Sequence, residues 1–146
     1  MVDFNQIVPA RKTEFKDLDD FEWAKPGIEQ LVSLGVLKGY SDTEFGPARP
    51  VTRAEFCKMI TPLSSRGDYF DELDFTGDMR PFTDIENHWA FRYIMLCESC
   101  GLIDGFEDDT FRPDDSLTYA QTIKMCLSAI GYSGLAEDTG IWYEKW

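Results

Sequence analysis

The sequence predicts an all-α fold built from tandem helix-loop-helix repeats. Three observations predict it. The chain aligns with itself at a displacement of 66 residues; apolar residues in each copy recur at spacings of three and four; and one helix-start signature stands at the same place in both copies.

The displacement lays Trp23–Ile60 on Trp89–Cys126 without a gap, with 13 identities in 38 positions. Identical pairs include Trp23/Trp89, Ile28/Ile94, Gly35/Gly101, Gly39/Gly105, Phe45/Phe111, Pro47/Pro113, Thr52/Thr118 and Lys58/Lys124. A one-residue shift before the tryptophan also matches Phe15-Lys16-Asp17-Leu18 with Phe82-Thr83-Asp84-Ile85. The duplication divides the chain into an N-terminal extension (1–14), a first repeat (15–64), an acidic connecting segment (65–81), a second repeat (82–130) and the start of a third (131–146).

The first helix of each copy is expected from the tryptophan onward, with stripes Trp23, Ile28, Leu31, Leu34 and Trp89, Ile94, Cys97, Cys100. It should close at Gly35 or Gly101, since glycine takes the left-handed conformation that ends a helix. A loop rich in Gly, Asp and Pro follows, from Gly39 to Pro50 and from Gly105 to Ser116, leaving room for a strand of two or three residues at most. The second helix starts at a capping box: Thr52 with Glu55, Thr118 with Gln121. Its apolar stripe is Phe56, Met59, Ile60, Leu63 in one copy and Thr122, Met125, Cys126, Ala129, Ile130 in the other. In the connecting segment, Tyr69, Phe70, Leu73 and Phe75 are expected to pack rather than form an open linker. A helix-loop-helix unit cannot bury its stripe alone, so neighbouring units must cover it.

Composition narrows the function. Residues are 43% hydrophobic and 14% aromatic, which argues against disorder. With 27 acidic against 14 basic residues, the net charge of −13 repels phosphate backbones and anionic lipid, so neither nucleic acid nor membrane is an expected partner. No apolar run is long enough to span a bilayer and no signal sequence opens the chain, so the expectation is a soluble piece without its export signal.

Taken together, Phe82-x-Asp84-Ile85-x-x-His88-Trp89-Ala90, Gly101, Gly105, Phe111-x-Pro113 and the Thr-x-Ala helix start resemble the S-layer homology repeat of bacterial cell envelopes. The first copy is similar through Phe15-x-Asp17-Leu18, Trp23-Ala24, Gly35, Gly39, Phe45-x-Pro47 and Thr52-Arg53-Ala54-Glu55. The resemblance implies three repeats forming a pseudo-threefold helical spindle, whose inter-repeat grooves bind cell-wall-linked polysaccharide, often carrying ketal-linked pyruvate. It implies groove residues Asp17, Asp84, Trp23, Trp89, Gly39, Gly105 and Arg53. The sequence departs from the pattern where Tyr119 replaces the arginine and Gln121 the glutamate of the second copy. His88 has no counterpart in the first.

Each residue also has a plainer role. Arg53 stands at the first helical position, where it could pair an anionic sugar near the positive helix end or an acid such as Glu55. Trp23 and Trp89 could be core residues or sugar-stacking faces, and Asp17 and Asp84 turn caps or hydroxyl acceptors. Gly39 and Gly105 suit a backbone turn. The acids of the loop from Asp104 to Asp115 suggest calcium, but the order of an EF-hand loop is missing. Cys97-x-x-Cys100 looks like a redox or zinc half-site, yet Cys57, Cys97, Cys100 and Cys126 all align with apolar residues, so burial as small hydrophobes is expected and no metal is. Catalysis finds little support: there is one histidine, no recognisable nucleophile and no phosphate-binding loop.

The expectation is a non-enzymatic anchoring module at the bacterial cell surface, without a cofactor, whose binding uses Arg53 for charge and Asp84 and Trp89 for hydrogen bonding and stacking. The alternative is a protein-interaction module on the same scaffold. There a partner or a second copy would complete the third repeat, and Ile141, Trp142, Tyr143 and Trp146 would supply apolar surface.

Overall fold

A computed structural model describes residues 13–64, 67–75, 77 and 81–129, apart from the side chains of Leu63, Asp68 and Tyr69. The expected start of a third repeat and the apolar tail from Ile141 to Trp146 lie outside the described residues. The described residues form four α-helices: α1 (Lys25–Ser33), α2 (Arg53–Ile60), α3 (Phe91–Ser99) and α4 (Tyr119–Ala129). The fold is all-α; among the described residues the only extended pairing is an isolated antiparallel bridge between Thr52 and Ser116. The chain divides into two compact units, one ending at Pro50 and the other beginning at Val51.

In the first unit, α1 begins two residues after Trp23, with Pro26 in its first turn, where a missing N–H costs nothing. Trp23 therefore sits in the preceding turn and is 84% exposed, so it is not a core residue. Leu18 and Ile28 are buried instead. Gly35 closes the helix at φ 73°, as its place in the sequence predicts.

The second unit holds α2, α3 and α4, so the last helix of the first sequence repeat packs with the second repeat. Ala54, Cys57 and Ile60 of α2 join Ile94, Met95 and Cys97 of α3, with Phe82, Ile85, Phe111 and Met125 completing the core. Both capping boxes form. Thr52 N donates to Glu55 Oε2 at 2.9 Å and Glu55 N to Thr52 Oγ1 at 3.2 Å; Thr118 N donates to Gln121 Oε1 at 3.0 Å and Gln121 N to Thr118 Oγ1 at 3.2 Å. The next two N–H groups of α2 are satisfied from the second repeat: Arg53 N donates to Asp115 O and Ala54 N to Pro113 O, each at 2.9 Å. Leu117 N returns a bond to Val51 O at 3.0 Å. Three backbone bonds thus pin the loop before α4 to the start of α2.

Trp89 also lies just before its helix and is 56% exposed, which removes the core alternative for it in the same way. The connecting segment packs as expected where it is described: Phe70 stacks on Tyr93 with centroids 4.6 Å apart, Arg92 Nη2 donates to Phe70 O at 2.8 Å, and Phe75 lies against the core. The cysteine expectation holds for Cys57 and Cys97, which are buried, and fails for Cys126, which is exposed; Cys100 is half-buried. Cys126 fails because the face of α4 that carries it, with Tyr119 and Leu127, faces outward.

Candidate functional site

Arg53 is 5% exposed, although the first turn of a helix usually leaves such a side chain in solvent. Its guanidinium reaches into the loop of the second repeat, where Nε donates to Phe111 O at 2.7 Å and Nη2 to Asp104 O at 3.0 Å. The rings of Phe111 and Phe106 lie 4.4 and 5.0 Å from its central carbon. Burial pulls its pKa below the ordinary 12.5, and it remains a cation at neutral pH. Glu55 closes the capping box, and the carboxylates that act on the Arg53 cation through space are those of Asp115 and Asp84. A buried cation whose hydrogen bonds run to carbonyls is only partly compensated by the acids around it, and an anion brought to it would be favoured.

The concavity that would admit such an anion is present. A pocket of about 340 Å³ is lined by Arg53, Asp104, Gly105, Phe106, Gln121 and Lys124, with Leu102, Ile103 and Met125 supplying apolar wall. Lys124 Nζ lies 2.5 Å from Asp104 Oδ2. Asp104 therefore touches both cations of the pocket, Arg53 through its carbonyl and Lys124 through its carboxylate.

Asp84 supports this arrangement from behind. Its Oδ1 accepts from Phe111 N at 2.8 Å and its Oδ2 from Arg112 N at 2.7 Å, which turns the Phe111 carbonyl toward Arg53. Asp17 does the same in the first repeat, accepting from Phe45 N at 3.0 Å and Gly46 N at 2.6 Å. These two bonds hold the Asp17 carboxylate below its ordinary pKa. Both aspartates are thus loop holders.

The glycines have a reason other than the expected turn. A Cβ on Gly105 would overlap Phe82 Cε1, and one on Gly39 would overlap Phe15 Cε1, so in each repeat the loop backbone lies directly on the phenylalanine that stands two residues before the aspartate. Of the residues singled out from sequence, the structure gathers Arg53 and Gly105 at one pocket. Asp84 acts beneath it, and Trp89 stands apart, 5.8 Å from Lys58 Nζ. Asp17, Trp23 and Gly39 belong to the first unit.

Two further acids of the second loop each have partners of their own. Asp108 bonds Thr110 Oγ1 and Arg112, which lowers its pKa, while Asp114 pairs with His88 Nε2 at 3.2 Å. Among the described residues no group of three or more His, Cys, Asp or Glu side chains could hold a metal ion. Sequence reasoning missed Asp104, Phe106 and Lys124; the one signal for them was the identity Lys58/Lys124, a charged position repeated inside a helix.

Comparison with known proteins shows the family. The S-layer homology domain matches residues 14–57 and 81–123. The chain belongs to the S-layer homology family. Among its relatives, a cellulosome-anchoring protein of Acetivibrio thermocellus is 35% identical over 112 residues, covering 76% of this chain and 24% of that protein. A cell surface protein of Thermoanaerobacter kivui is 33% identical over 128 residues, covering 86% and 16%. The exoglucanase XynX of Acetivibrio thermocellus is 32% identical over 123 residues, covering 84% and 10%. The chain thus spans a quarter or less of the length of each of these relatives.

Proposed function

We propose that this chain is a non-enzymatic anchoring module that holds a protein at the outer surface of the bacterial cell by binding a wall-linked anionic polysaccharide, pyruvylated sugar included. The observation that carries this reading is the Arg53 guanidinium, buried at the pocket wall with its hydrogen bonds made to backbone carbonyls. An acidic group on a sugar would complete its charge, and the apolar wall and neighbouring polar groups suit the ring. Family membership and the names of its relatives, a cellulosome-anchoring protein and a cell surface protein, point the same way. The net charge of −13 opposes long-range attraction, so affinity arises from the local site.

The test is retention on Gram-positive wall sacculi before and after the polysaccharide is stripped. Wild-type protein should be retained only on unstripped walls, and Arg53→Ala and Lys124→Ala should lose retention while keeping native circular dichroism. Equal retention of all three proteins would remove this pocket from the mechanism.

A second reading, self-assembly, is favoured by one contrast. Arg53, Cys57 and Ile60 of α2 are buried, whereas Tyr119, aligned with Arg53, is 84% exposed, and Cys126, aligned with Ile60, is also exposed. The loop at 104–116 covers α2, and its counterpart in the chain is the loop at 38–50. The occupant proposed for α4 is accordingly the first-repeat loop of a second copy. Sedimentation velocity should show a mass that rises with concentration and falls to the monomer in Leu127→Asp; a monomer at every concentration overturns this reading.

A further inference from the structure

We infer that Asp104 is a charge filter for the Arg53 pocket, restricting it to ligands that bring one negative charge flanked by hydroxyl groups. The inference rests on the anion-binding role proposed for Arg53. Among the described residues, two cations and one carboxylate line the pocket, a single net positive charge at its wall. One negative charge on the ligand balances it. A second would stand close to the Asp104 carboxylate, where like charges repel, though less than in a closed site because that side chain is solvent-exposed. The ion pair of Asp104 Oδ2 with Lys124 Nζ also keeps the ammonium from serving as a second full anion seat. A carboxylate and an ammonium side by side instead suit hydroxyl groups, the one accepting and the other donating.

The carboxylate is not needed to build the site. Only the backbone carbonyl of Asp104 holds Arg53, and its side chain is 71% exposed. The duplication supplies the control: Lys124 recurs as Lys58, whereas Asp104 aligns with Lys38. The helix position keeps its cation, and the acid is particular to this pocket.

Isothermal titration of the full chain at about pH 7.5 tests the filter with three probes: D-glucuronate with one charge, glucose 6-phosphate with two, since its second pKa is about 6, and neutral glucose. Wild type should prefer glucuronate to glucose 6-phosphate. Asp104→Asn should shrink that preference about threefold, chiefly by gaining affinity for the dianion, and Asp104→Lys should shrink it further or reverse it. If glucuronate binds and Arg53→Ala abolishes binding, yet Asp104→Asn changes both affinities equally or neither, the filter is overturned and the anion site stands. If wild type binds glucuronate no better than glucose, both are overturned.

Discussion

Arg53 Nε donates to the carbonyl of Phe111 at 2.7 Å, across 58 residues of sequence, and the loop of the second repeat is fixed to the first turn of α2 through that side chain. Arg53→Ala should therefore cost stability as well as binding. Two buried carbonyls lose their donor, and urea unfolding should register a loss of about 3 kcal/mol. Arg53→Lys keeps the charge but cannot span both carbonyls, and should recover only part of that loss.

Glycine substitutions separate crowding from propensity. Gly39→Ala and Gly105→Ala drive a Cβ into Phe15 and Phe82, and each should cost about 1–3 kcal/mol in thermal unfolding. Gly27→Ala, in α1 with open space around it, should stabilise by about 0.5–1 kcal/mol.

Acid titration should expose the loop holder of the first repeat. Bonds from Phe45 N and Gly46 N lower the Asp17 pKa from 3.8. Its contribution is therefore fully present above that ordinary value and is lost as pH falls through the lower folded value. The urea midpoint of Asp17→Asn should lie below wild type at about pH 7, and the two should converge by about pH 2. A difference that persists unchanged at the acid end would assign Asp17 a role other than charge.

Thiol chemistry should follow burial. Cys126 is exposed and should alkylate in the native protein, with Cys100 following. Cys57 and Cys97 should react only on unfolding; a bond with Cys97, together with burial, pushes the Cys57 thiol upward and suppresses its thiolate. Mass spectrometry of iodoacetamide-treated protein with and without urea reads the order directly.

Much of the fold was legible because its determinants are local. Thr52 with Glu55, and Thr118 with Gln121, start helices through contacts three residues apart, and Gly35 and Gly101 end them through one backbone angle each. The site was less legible because its determinants are distant. Nothing near Arg53 in the sequence reveals that residues 104–111 will cover it. The core alternative for the tryptophans fails for a smaller reason: each helix starts two residues later than its apolar spacing suggests, at Lys25 and Phe91, and the indole is left outside. Gly39 and Gly105 signalled a turn, whereas the structure uses their lack of a side chain for contact with an aromatic ring.

The break between compact units at Pro50 and Val51 falls inside the first sequence repeat. Truncations designed on the sequence repeats, cutting between 64 and 82, would pull α2 away from α3 and split the core. A cut ahead of Val51 would keep α2, α3, α4 and the Arg53 pocket in one piece. The portable part of this protein is half a repeat out of step with its own duplication, and grafting or shuffling of such anchors should be planned on that phase.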